Sequence, residues 1–151
     1  MNTSEQITLP SGDVTQLVTE LSDYLQQLTS ANSPNYYDVE LFNADRDAVV
    51  VLRCNEKPMA CGTIRFINSR TCEIKHMFTK NRESSHFGMS VELLHILENK
   101  AKLLGYATVI LAIRRSKLEV LRLHLRHGYR RIRPCGKYRQ KLDTICLGKN
   151  L

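Results

Sequence analysis

The stretch from Glu73 to Tyr106, EIKHMFTKNRESSHFGMSVELLHILENKAKLLGY, constrains the fold more than any other part of the chain. Residues 71–79 alternate as a strand does. Ile74, His76 and Phe78 fall on one face, and Glu73, Lys75, Met77 and Thr79 on the other. A polar loop from Lys80 to Phe87 follows, and Gly88 stands where a helix opens. The helix is predicted over 87–104, with Val91, Leu94, Leu97, Ala101 and Leu104 on its buried side and Gly105 as its stop. Such a junction presents unpaired backbone N–H groups at the positive end of the helix dipole, which suits a phosphate. A strand, an anion-binding turn and a helix together predict a domain that holds a phosphate-bearing cofactor.

The flanking sequence places this unit in an α/β context. Upstream, residues 13–29 carry a helical stripe of Leu17, Leu21, Tyr24, Leu25 and Leu28, and YYDVELF (36–42) reads as a second short helix. Residues 48–53 and 58–67 read as strands joined by the NEKP turn, so with 71–79 they form an antiparallel meander. Downstream, ATVILAI (107–113) reads as a strand buried on both faces, 117–127 as a helix ending at Gly128, and 143–148 as a final strand. At 151 residues, 42% apolar and 25% charged, with no linker or repeat, the chain is expected to be one globular domain, 1–151. No run reaches the roughly 20 apolar residues of a membrane span. The first residues lack the basic-then-apolar pattern of a secretory leader, and the expected location is the cytoplasm. The five cysteines form no CxxC pair and read as reduced core thiols, not a disulfide frame or a zinc site. No histidine pair has metal-ligand spacing, so no metal is expected.

The net charge of +7 is unevenly placed. Residues 1–47 hold eight acids and one base, whereas 114–141 hold eleven bases and one acid. The basic stretch is either a solvated face or an attractor of phosphates, an acidic protein or nucleic acid. With only Tyr129 and Tyr138 as aromatics there, nucleic acid is the least supported partner.

Four segments, in order, resemble the GNAT superfamily of acetyl-CoA-dependent N-acetyltransferases. EIKHMFT matches a strand of the type EIKRMYV. LLHILENKAKLLGY (93–106) matches a helix of the form LLxxLExxAxxLGY, and EVLRLHLRHGYRRIRPCGKY (119–138) matches EAxxLYxxxGFxxIPPYGxY. TICLGKNL is similar to the family's terminal strand. The resemblance covers nearly the whole chain. It implies a single-domain α/β GNAT fold, a mixed central sheet with a splayed strand pair, flanked by helices. It also implies acetyl-CoA as co-substrate and an amine of a small molecule or protein as acceptor. No membrane partner is implied, and a homodimer is left open.

By the same resemblance, backbone groups at Met77 and Thr79 would pair with the pantetheine arm, and the pyrophosphate would lie over Ser85, His86, Phe87, Gly88, Met89 and Ser90. Here the chain departs from the family signature of Arg or Gln, two residues, Gly, one residue, Gly or Ala. Only Gly88 is kept, and the loop is one residue longer. Lys117 stands where the family has Asn or Gln and would reach the cofactor's phosphates. His124 replaces the tyrosine that protonates the departing thiolate, a role open to an imidazole. Glu73 would orient the amine or relay its proton, with Tyr138 as a further catalytic candidate. The alternatives are a solvated Glu73, a structural His124 and a non-catalytic module that binds through its basic half.

Overall fold

A computed structural model of the chain describes residues 2–7, 43, 45–54, 57–79, 86–134 and 138–151. The helices expected over 13–29 and 36–42 lie outside the described residues, as does Ser85 with the rest of the loop 80–85. The elements run β1 (Asn2–Ile7), β2 (Ala48–Cys54), β3 (Lys57–Asn68), β4 (Thr71–Thr79), α1 (His86–Leu103), β5 (Thr108–Arg114), α2 (Leu118–Arg126), β6 (Arg130–Ile132) and β7 (Thr144–Asn150). The strands form one mixed sheet in the order β1-β2-β3-β4-β5-β7-β6. Every described pairing is antiparallel except β4–β5, which is parallel and crosses over through α1.

The meander β2–β3–β4 forms as the alternation requires, because short turns can join only antiparallel neighbours. Edge strand β1 was not foreseen. Its residues pair with Val49–Cys54, yet NTSEQI contains a single large apolar side chain, Ile7. A polar edge strand is held by its backbone bonds and leaves little hydrophobic signal.

One face of the sheet carries the core. Val50, Leu52, Ala60, Ile64, Cys72 and Ile74 meet Leu93, Leu94, Leu97 and Ala101 of α1. Leu97 sits so close to β3 that a Cβ on Gly62 would stand 2.6 Å from its Cδ1, so any side chain at 62 would have to displace Leu97. The residues that alternate with this set, Val49, Val51, Cys61, Thr63 and Glu73, are also buried and occupy the opposite face. β5 departs from expectation. Val109, Leu111 and Ile113 are buried, but Thr108, Ile110 and Ala112 between them are only half-buried, so the strand alternates instead of being covered on both faces. Its partner β4 leaves it after Ile110, which opens that face. Among the described residues no helix is long and apolar enough to cross a membrane. Cys61, Cys72 and Cys146 are buried thiols outside any disulfide among the described residues, and desolvation pushes the Cys72 thiol up to about 12.

Both helices after β4 stop at glycine. Gly105 and Gly128 have φ of 96° and 93°, a conformation that a Cβ disfavours. The N–H groups of Tyr106 and Tyr129 then reach back to the carbonyls of Ala101 and His124, closing Schellman caps on α1 and α2. The second cap folds the ring of Tyr129 against that of His124, 5.3 Å between centroids and nearly perpendicular.

Candidate active site

The parallel β4–β5 ladder consists of three pairs, Thr71↔Thr108, Cys72↔Val109 and Glu73↔Ile110. β4 continues to Thr79 and β5 to Arg114, so the two central strands part beyond Glu73. A parted parallel pair leaves two facing backbone edges, and an extended polar chain fits between them as an added strand would.

On its other side β4 bulges against β3. Cys61 pairs with Phe78 and Thr63 with Lys75, so His76 and Met77 together oppose the single residue Gly62. The extra residue reverses the alternation and corrects the face assignment made from the sequence. Glu73 lies on the face opposite α1. Met77 instead packs on the core under α1, and Thr79 pairs with Ala60 on that same side. Uninterrupted period-two reading put all three on one face. The bulge lies beside the opening, a place where bulges commonly re-aim backbone groups.

Glu73 is only 5% exposed, which removes the solvated alternative. The Tyr138 hydroxyl donates to its Oε2 at 2.7 Å, across 65 residues of sequence. Two of the three catalytic candidates are therefore joined at the last rung before the strands part.

The third candidate stands in a separate group. His124 is 4% exposed, and its Nδ1 lies 2.8 Å from the Val120 carbonyl. A carbonyl only accepts, so Nδ1 carries the proton and Nε2 is a bare lone pair, buried and without a partner. Burial lowers the imidazole's pKa from its ordinary value, outweighing the hydrogen bond to Val120 and the nearby Glu98 carboxylate, which raise it. The ring is therefore neutral at pH 7, and any proton it hands on must first arrive at Nε2. Beside it, the Tyr129 hydroxyl donates to Glu98 Oε2 at 2.7 Å, and Lys149 Nζ donates to Oε1 and Oε2 at 3.2 and 3.1 Å. Desolvation and the Glu98 carboxylate raise the Tyr129 phenol well above its usual range. Sequence reading missed this triad. Its signal was Glu98 on the apolar stripe between Leu94 and Ala101, where a carboxylate needs partners.

A neutral buried imidazole has a thermodynamic consequence. The folded-state pKa lies below the unfolded value of about 6.5, so the unfolded chain takes up a proton first as pH falls. The stability associated with a neutral His124 is present above that value and is lost as pH drops toward the lowered pKa. Melting temperature should fall from pH 7.5 to 5, and less steeply in His124→Phe. Equal slopes in the two proteins would show that His124 is not held neutral.

α1 begins at His86, so His86, Phe87, Gly88, Met89 and Ser90 form its first turn. Lys117 is exposed at the start of α2. Because β4 and β5 run parallel, Thr79 at the end of β4 and Lys117 after β5 lie at the same end of the sheet, the end at which the strands part.

No protein-family model matches the chain, and no curated protein sequence does. Solved structures match it along its whole length. An acetyltransferase from Streptococcus agalactiae superposes with a TM-score of 0.73 at 17% identity, covering 98% of both chains. A GNAT family acetyltransferase from Elizabethkingia anophelis, with acetyl-CoA bound, superposes at 0.65 and 20% identity, covering 99% of this chain and 98% of that one. Aminoglycoside 6'-acetyltransferase type Ii superposes at 0.75 and 14% identity, covering 97% and 96%. The chain has the GNAT acetyltransferase fold, as its sequence motifs implied.

Proposed function

We propose that the chain is an N-acetyltransferase that moves an acetyl group from acetyl-CoA to an amine. The observation that carries this reading is the parting of β4 and β5 directly after Glu73, with that carboxylate buried and held by Tyr138. The gap fits an extended pantetheine arm, with Met77 and Thr79 offering backbone groups along one side. In this reading the phosphates lie over the first turn of α1, from His86 to Ser90, where Gly88 allows close approach, and Lys117 adds a charge at the same edge. The structural neighbour from Elizabethkingia anophelis holds acetyl-CoA, which supports the same ligand here.

Transfer requires a neutral amine nitrogen to attack the thioester carbon. The C–N bond forms, the C–S bond breaks, one proton leaves nitrogen and one reaches sulfur. Glu73 is the group placed to take or relay the amine's proton, with Tyr138 fixing its carboxylate. Backbone N–H groups at the β4 bulge serve the developing oxyanion. His124 is the candidate for the sulfur's proton. Nδ1 is committed to Val120, so a proton from solvent is taken up at Nε2 and given to the thiolate as the C–S bond breaks, while the amine's proton passes from Glu73 to solvent. The test is a panel of amines with acetyl-CoA, followed by thiol release and by the mass of the product. Acetylated product supports the reading. Binding of acetyl-CoA with no amine acetylated would favour a non-catalytic module instead.

A further inference from the structure

The acceptor class is written in the charges around Tyr138. We infer that the acceptor is the amine of an acidic peptide; this rests on the acetyl-transfer reading above. Tyr138, which holds Glu73, lies within a strongly basic rim. Lys141 Nζ stands 5.8 Å from the Tyr138 ring centroid, and Arg139 is its exposed neighbour in sequence. A second pair is tied to the same segment. Arg115 Nε donates to the Leu142 carbonyl at 2.6 Å, its N–H donates to the Asp143 carbonyl at 2.7 Å, and Arg114 pairs with Thr144 in the β5–β7 ladder. All four cations are exposed. Among the described residues none of the four joins an ion pair. The acids at 114–143 are Glu119 and Asp143, both exposed.

Exposed cations next to the tyrosine that holds a buried carboxylate, and along the segment that follows it, sort acceptors by two charges. Glu73 needs an amine, and the rim draws the rest of that molecule only if it is anionic. The cations lie along two chain segments instead of converging on one enclosed point. That spread suits an extended chain with several carboxylates better than a single small anion. A nucleic acid offers the anions but lacks the aliphatic amine that the reaction uses.

The test uses the full chain, acetyl-CoA and three peptides of equal length whose only amine is the N-terminus: one rich in Asp and Glu, one with Asn and Gln in their place, and one with arginines. Thiol release gives kcat/KM, and anisotropy of a C-terminally labelled acidic peptide gives binding independently of catalysis. Fields of this kind raise association by roughly 10–10³-fold, so the acidic peptide should lead the neutral one by about tenfold or more, and less as salt rises. Arg139→Glu with Lys141→Glu should remove that lead, bringing the ratio of acidic to neutral kcat/KM to about one or below. Equal kcat/KM for acidic and neutral peptides, or a lead that survives the charge reversal, overturns the inference alone. Salt-sensitive binding of the acidic peptide without thiol release from any amine overturns the acetyl-transfer reading and leaves the docking surface standing. Absence of both binding and discrimination overturns the inference.

Discussion

Glu73→Gln is expected to lower turnover by about 10²–10⁴-fold while leaving acetyl-CoA affinity unchanged, the usual worth of a positioned general base. Glutamine keeps the size of the side chain and can still accept from Tyr138, whose hydroxyl now meets Oε2 at 2.7 Å. What it loses is the ability to take a proton. Because Glu73 lies on the face opposite α1, away from the β4 residues that pack on the core, the change should spare the cofactor groove. Tyr138→Phe should act more mildly, since it frees the carboxylate without removing it. Steady-state rates with a verified acceptor, beside equilibrium binding of acetyl-CoA, separate the two effects. Unchanged turnover in Glu73→Gln would remove this carboxylate from the chemistry.

The second large effect concerns stability. Glu98→Leu is expected to destabilise the fold by about 1–3 kcal/mol, because it strands the buried Tyr129 hydroxyl and cuts a charge-assisted contact to Lys149. The lysine side chain is 26% exposed and can turn to water, so the phenol carries most of the cost. Adding Tyr129→Phe should recover much of the loss, since removing both partners of a buried hydrogen bond is far less costly than removing one. Denaturant unfolding of the two single variants and the double variant measures the coupling. Simple additivity would mean that the Tyr129–Glu98 bond contributes nothing.

Most of the fold was legible because its signals are local. Alternation marked β4, apolar runs bounded by short turns marked β2 and β3, the stripe through Leu94, Leu97 and Ala101 marked α1, and Gly105 and Gly128 marked the helix stops at which φ is in fact positive. The site was legible where a motif named a residue, as with Glu73 and Tyr138. Their contact was not, because it spans 65 residues of sequence. The β4 bulge was hidden for a different reason. Inserting one residue leaves the composition of EIKHMFT unchanged and alters only its pairing with β3, so a regular two-residue period put Met77 on the wrong face. His124 was singled out because it stands at the motif's tyrosine, but its neutral state follows from burial, which a helical pattern does not show.

The proposed transfer depends on acetyl-CoA entering the groove between β4 and β5. Calorimetric titration of the chain with acetyl-CoA, at two temperatures and two salt concentrations, tests this most directly. Saturable binding at one molecule per chain is predicted, with affinity that weakens as salt rises because exposed charges such as Lys117 are screened over about 10 Å at 0.1 M. No heat of binding at either temperature would contradict it.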